Sequence, residues 1–293
     1  MDPLTGSGAA PQAPLVAVKI DNGTLARPFH RGLDSAAMVY LELVEGGATR
    51  MVGIWSQAPD AEIGPVRSFR ESDIELLEQF GRVAIAFSGA NDVVLRSFRG
   101  AVEAGRFVDV SFDAQPDLYR IGERRRDAKN FYTSPSRLAD AAGRAGGQPA
   151  KATGLTFAAT ARPDAAPGTS ASIAFSRMET VQATFDAATG TYRIAVNGTP
   201  LNGAAPANVV IQQVPVRDAG CCDAAGNPTP YSVSVGTGAV DVLRDGVRVS
   251  GQWQRPSATE GTRLLTPDGA DIPLKPGQTW VLLQPAGSGL SIG

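Results

Sequence analysis

Histidine and cysteine are almost missing from this chain of 293 residues, which has one imidazole, His30, and two adjacent thiols, Cys221 and Cys222. One imidazole and two thiols cannot furnish a zinc framework, so no metal site is expected. Vicinal cysteines close only a strained small ring, so the expected state is a free pair in a surface loop. No apolar run is long enough to span a bilayer. The net charge of −2 gives no reason to expect nucleic acid as a partner. P-loop, G-x-G-x-x-G and H-E-x-x-H patterns are absent too, which argues against the common nucleotide-binding and zinc-protease classes, and no cofactor is expected. The start, Met1-Asp2-Pro3-Leu4-Thr5-Gly6, has no signal peptide and fits a cytosolic chain or one whose leader has been removed.

Lysine is scarce, 4 against 23 arginines, as a GC-rich coding preference would produce. Charge is unevenly placed. Residues 1–150 carry 17 basic and 19 acidic side chains, and residues 151–293 carry 10 of each. Eight of the ten glutamates and fifteen arginines lie in the first half, so chemistry is expected there.

The chain is organised around residues 34–70. Residues 39–44 and 49–55 read as paired strands, joined by Glu45-Gly46-Gly47-Ala48, whose Gly-Gly pair supplies positive φ at a tight turn. A two-residue Gly46-Gly47 loop would set Glu45 opposite Ala48, with Arg50 diagonal to it and Glu42 on the other face. After Gly64-Pro65-Val66-Arg67, Ser68 with Glu71 reads as a capping box opening a helix. Arg67 and Arg70 would then flank free N–H groups and form an anion seat.

Length allows two domains. Residues 1–14, rich in Pro, Gly and Ala, read as a tether. Residues 15–145 alternate strands (15–20, 83–87, 107–110) with helices (69–81, 92–105, 134–142), around a polar, basic stretch at 117–132. A shift in composition at 143–154 marks a linker. Residues 155–293 show strand and turn signals only, at 173–175, 183–185, 192–196, 209–214, 240–244, 247–253, 263–266 and 280–284. The expected fold class is a mixed α/β (α+β) N-terminal domain followed by an all-β C-terminal domain.

The order of motifs resembles the YerB-like family of bacterial cell-envelope lipoproteins, in its actinobacterial form. The likeness runs through Val16-Ala17-Val18-Lys19-Ile20-Asp21-Asn22, Ala26-Arg27-Pro28, Gly32-Leu33-Asp34, Val44-Glu45-Gly46-Gly47 with Thr49-Arg50, and Gly64-Pro65-Val66-Arg67-Ser68. It continues through Ala86-Phe87-Ser88-Gly89-Ala90, Asn130 with Tyr132, Leu243-Arg244-Asp245-Gly246, Gly251 with Trp253, and Pro276-Gly277 with Trp280. The resemblance implies two domains without an assigned activity, and an extracytoplasmic lipoprotein whose leader and lipid anchor are absent here. Many relatives have Pro-His-Asn where this chain has Ala128-Lys129-Asn130, which puts histidine chemistry at that point in doubt.

Candidate site residues follow from both readings. The expected ligand set is Asp21, Asn22, Arg27, Glu42, Glu45, Arg50, Arg67, Ser68, Arg70, Asn130 and Tyr132. Arginines would hold an anionic group while Asp21 and Glu45 accept hydroxyl hydrogen bonds. The expected partner is a cell-wall glycan or anionic envelope polymer, and other envelope proteins are a further expectation. As an alternative, Glu45 as general acid with Asp21 as base would make a glycan-cleaving enzyme. A third reading, an envelope scaffold, calls for an exposed apolar patch on the β-rich part. His30 and Arg124-Arg125-Arg126 read as exposed loop residues. Ser88 lacks the G-x-S-x-G elbow and a suitable base.

Overall fold

Short apolar runs separated by glycine and Asx turns favour strands over long helices. The computed structural model describes residues 1–126, 128–162, 165–223 and 226–293, with the Cys221 side chain outside that description. The first half contains β1 (Val16–Asp21), β2 (Met38–Leu43), β3 (Thr49–Trp55), β4 (Ile63–Val66), α1 (Ser72–Glu78), β5 (Val83–Ala86), α2 (Asp92–Glu103), β6 (Phe107–Asp109), β7 (Arg120–Arg124), β8 (Lys129–Thr133) and α3 (Pro135–Arg144). The second contains β9 (Ala166–Pro167), β10 (Ser170–Ala174), β11 (Thr180–Asp186), β12 (Thr191–Val196), β13 (Thr199–Pro200), β14 (Asn208–Val214), β15 (Val216–Cys222) and β16 (Pro228–Ser232). It closes with β17 (Gly236–Arg244), β18 (Val247–Arg255), β19 (Arg263–Leu265), β20 (Thr279–Pro285) and β21 (Leu290–Ile292).

One sheet of 14 strands takes strands from both halves, in the order β19-β18-β17-β14-β20-β2-β3-β1-β4-β8-β7, with β5, β6 and β9 attached. Strand β20 lies between β14 and β2 and runs parallel to both. A five-stranded sheet, β13-β12-β11-β10-β21, and the β15–β16 hairpin complete the description.

The expectation of a mixed α/β first domain is therefore corrected. Among the described residues strand far outweighs the three α-helices, and the sheets dominate the architecture. Helical periodicity over-extended α1, which starts at Ser72. The basic stretch that read as a loop folds into the hairpin β7–β8. Of residues 1–14, expected as a tether, Asp2 and Leu4 are buried, and Asp2 accepts hydrogen bonds from the Leu4 N–H at 2.9 Å and the Ser56 hydroxyl at 2.5 Å.

Every residue of β1 is buried, so its alternation separates two interiors. Val16, Val18 and Ile20 face the five-stranded sheet, in one core with Ile173, Val181 and Ile194. Ala17 faces the helices, in a second core with Leu76, Leu77 and Phe98. Lys19 and Asp21 lie on that helix-covered side, where a charge needs a partner. Phe69, Phe87 and Phe98 pack with ring centroids 5.0–5.1 Å apart, which fixes the segment after β4 against α2.

Because β20 hydrogen-bonds to both halves, damage to it is expected to be felt in both. Leu282→Ala removes a fully buried side chain from this strand and is expected to cost about 2–5 kcal/mol. Denaturation followed by fluorescence and by far-UV circular dichroism should give one shared, lowered transition. Loss of the second half alone would refute the coupling.

Candidate functional site

The turn between β2 and β3 corrects the expected register. Leu43 pairs with Thr49 and Glu42 with Arg50, leaving a three-residue loop, Glu45–Gly47, rather than a Gly-Gly pair. Gly46 and Gly47 adopt φ of 67° and 74°, which side chains disfavour. Glu42 therefore shares a face with Arg50, and Asp21 on β1 pairs with Arg50 from the other side. This row of carboxylate, guanidinium and carboxylate crosses three strands.

Asp21 gathers three arginines. Its Oδ2 accepts a hydrogen bond from Arg125 Nη2 at 2.7 Å and lies 3.4 Å from Arg67 Nε, while Oδ1 is 3.9 Å from Arg50 Nη2. The Gly23 N–H also donates to Oδ1, at 3.0 Å. Burial alone would raise the Asp21 pKa, but Arg50, the Arg125 hydrogen bond, the Gly23 N–H and Arg67 outweigh it, so the carboxyl stays below the usual range. Burial, followed by repulsion from Arg70, lowers Arg50 to about 10. His30, expected in an exposed loop, is buried, and its Nε2 donates to the Asp21 carbonyl oxygen at 2.6 Å. Burial pushes that imidazole down to about 4, so it is neutral at pH 7.

Beneath this cluster Lys19 serves two carboxylates. Its Nζ bonds Glu42 Oε1 and, at 2.8 Å, Asp73 Oδ1, with all three side chains almost wholly buried. Ser72 donates to Glu42 at 2.9 Å, and Asp73 Oδ2 accepts the Arg70 N–H at 2.7 Å. Burial raises Asp73, with Glu42 adding repulsion, to about 7. Glu42 is pushed up by burial but held below the ordinary value by Lys19. One ammonium faces two carboxylates, so Asp73 takes up a proton far more readily than an exposed aspartate.

The capping box is also corrected. Glu71, not Ser68, precedes α1, and it makes no side-chain cap. Arg70 instead forks onto Glu45 Oε2 at 3.0 and 2.5 Å and donates to the Ser68 and Phe69 carbonyls. Glu45 Oε1 accepts from Thr229 on β16 at 2.8 Å. Burial would raise Glu45, but Arg70 draws it below its ordinary value. A cleft of about 330 Å³ opens here, lined by Glu45, Ser68, Phe69, Arg70, Gly89, Ala90, Asn91 and Asp223.

Of the other expected site residues, Arg27 ties the two halves together. Arg27 is buried, ion-pairs with Glu179 at 3.1 Å and donates from Nε to the Asn22 carbonyl. Glu179 also accepts the Thr49 N–H, and Asn22 donates to the Thr49 hydroxyl at 2.7 Å. Tyr132 donates to the Phe29 carbonyl at 3.1 Å, and the guanidiniums of Arg31 and Arg120 lie 5.0 and 5.1 Å from its ring centroid. Asn130 is fully buried, and neither atom of its amide has a hydrogen-bond partner among the described residues. Its neighbour Phe131 pairs with Val66, so alternation sends Asn130 to the face of Arg67.

Family models match both halves: Protein of unknown function (DUF3048) N-terminal domain over residues 4–148, and its C-terminal domain over residues 171–281. The chain belongs to this YerB-like, two-domain family. No curated protein matches it. The crystal structure of YerB protein from Bacillus subtilis is similar over 99% of both chains, with a TM-score of 0.78 and 23% identity, a likeness that shows the fold alone.

Within this YerB-like frame, sequence reasoning missed Arg125, which it read as part of a solvated loop. Arg125 is buried against Asp21, 104 positions away. The missed partner of Lys19 is Asp73, since nothing local marks it. Asp73 carries a testable consequence. Its folded-state value of about 7 exceeds the ordinary aspartate value of 3.8, so its contribution to stability is fully present below about pH 4 and lost as pH rises to about 7. Denaturant titrations should show stability falling by about 2 kcal/mol more in the wild type than in Asp73→Asn between pH 5 and pH 8. Parallel pH profiles would contradict the shared-proton arrangement.

Proposed function

We propose that this chain is the soluble part of an extracytoplasmic envelope lipoprotein that binds an anionic, glycan-bearing wall ligand at the Asp21–Arg50–Arg67 cluster. The envelope placement rests on the family resemblance. The ligand reading rests on one observation: Arg50 and Arg67 approach Asp21 at 3.9 and 3.4 Å, as ion pairs rather than hydrogen bonds, and the buried Arg50 Nε has no hydrogen-bond partner among the described residues. Exposed pairs contribute little to stability, and partly buried like charges oppose it, so guanidiniums gathered with unused donors are better accounted for by a ligand than by the fold. The adjoining cleft, with Ser68 and the fixed Glu45–Arg70 pair on its wall, offers hydrogen-bonding groups suited to a sugar.

A glycan-cleaving role for the same residues lacks a proton donor. A general acid needs a raised carboxyl pKa, and both Glu45 and Asp21 are drawn down by arginines. The scaffold reading gains little support, because Met178 is the one large exposed hydrophobic among the described residues of the second half.

Co-sedimentation with isolated envelope glycan tests the proposal. Arg67→Ala should weaken association about ten-fold, because one charge-assisted contact to an anion is lost. Glu45→Gln should weaken it less, and neither protein should release soluble fragments. Release by the wild type that disappears in Glu45→Gln would establish cleavage and overturn the binding reading.

A further inference from the structure

Three ionisable side chains meet in the buried middle of the sheet, and the ligand reading makes no use of them. Lys19, Glu42 and Asp73 are each at most 1% exposed. On the sheet Lys19 pairs with Val52, and Val52 with Tyr40, both members of the apolar core beneath α1. Ions in such surroundings lose hydration that their mutual attraction seldom offsets in full, so uncharged products of the same groups are favoured there.

The contacts set the three groups up as reactants. Lys19 Nζ lies 2.8 Å from Asp73 Oδ1, so a slight shift brings it to the separation of about 3–3.5 Å from which attack on the carboxyl carbon proceeds. The other oxygen, Asp73 Oδ2, accepts the Arg70 N–H at 2.7 Å, a fixed donor that polarises the carboxyl and would hold an oxyanion formed there. Glu42 Oε1 accepts from Lys19 Nζ, and the Ser72 hydroxyl fixes Glu42 Oε2 at 2.9 Å. Burial, with Glu42 adding repulsion, raises Asp73 to about 7, so the neutral acid, the form an amine attacks, is well populated. Burial raises Glu42 too, but Lys19 draws it below its ordinary value, and it stays a base.

From this constellation we infer that Lys19 and Asp73 join in an intramolecular isopeptide bond, with Glu42 as the proton acceptor. The Glu42 carboxylate takes a proton from the Lys19 ammonium, and the amine lone pair attacks Cγ of the Asp73 acid. The Nζ–Cγ bond forms and the Cγ–Oδ1 bond breaks. Oδ1, with its own proton and a second one from the nitrogen, leaves as water. Ammonium, acid and carboxylate thus become a neutral amide, a water and the neutral acid of Glu42, with no oxidant or other co-reactant. The bond fastens β1 to α1 across 54 positions and owes nothing to the anion cluster. The structure shows the open state, in which Asp73 titrates; closure removes that titration together with the buried charges.

Mass spectrometry of the unfolded, reduced chain tests this. Protein followed from first isolation through days near pH 6 should convert to a species lighter by one water, about 18 Da. Trypsin then locates the loss. An amidated Lys19 is not cut and Arg27 precedes Pro28, so a peptide ending at Arg31 should be found linked to residues 71–82. Lys19→Arg, which keeps the positive charge without the amine, should retain the full mass. Glu42→Gln, checked for a melting transition, should close at least about ten-fold more slowly. Wild-type protein of unchanged mass, with Lys19 cut normally, overturns the inference whatever the variants do. Water lost instead at Asp245-Gly246 or Asp268-Gly269, as a succinimide, also overturns it. Closure at an equal rate in folded Glu42→Gln overturns the part given to Glu42.

Discussion

A single buried ammonium, Lys19, decides much of how this chain is put together. It sits in the middle of the sheet, against Glu42 on β2, reached across the intervening β3, and Asp73 in α1. Such a charge is tolerable only while its partners are in place, and stripping one away typically costs about 3–5 kcal/mol. The pairing therefore ties α1 to the sheet at one point. Through the second oxygen of Asp73 it also sets the backbone of Arg70, and with it the fork onto Glu45. The arginine cluster is built on that attachment, one row of side chains further along β1.

The motifs that carry the family resemblance divide by physical role. Arg27, Asn22 and Thr49, with the glycines after Glu45, receive the segment Ser176–Glu179 from the second half. Glu179 bonds Arg27 and Thr49, and the Ser176 hydroxyl donates to the Gly47 carbonyl at 2.7 Å. Asp21, Arg50, Arg67 and Asn130 are not needed for that docking. Arg50 and Arg67 reach Asp21 only as ion pairs, and the Asn130 amide has no hydrogen-bond partner among the described residues, which separates them from residues whose hydrogen bonds are fully used.

How much of this was legible in the sequence depended on range. Runs such as 83–87 and 247–253 fall within or close to strands because a buried strand has a local signature. The turn after β2 did not yield its register, since a Gly-Gly pair serves two- and three-residue loops alike, and the difference moved Glu42 onto the face of Arg50. Ser68 with Glu71 matched a capping pattern, yet Asp73 took the Arg70 N–H instead. Arg125 was hidden for a different reason: a run of three arginines reads as solvated until the distant carboxylate that buries the middle one is known. The mixed α/β reading failed because β20, the strand that makes a single sheet of both halves, lies more than 200 residues from its partner β2, beyond any periodicity.

That position of β20 has a consequence for how the protein comes into being. A ribosome releases residues 279–285 after both strands that flank them, so β2 and β14 emerge with unpaired edges facing each other across a gap. Edges of this kind invite pairing with a neighbouring chain until they are covered. The interval before β20 arrives is thus the time when this chain is most exposed to misassembly, and a chaperone or a translocating channel would be of most use to it then.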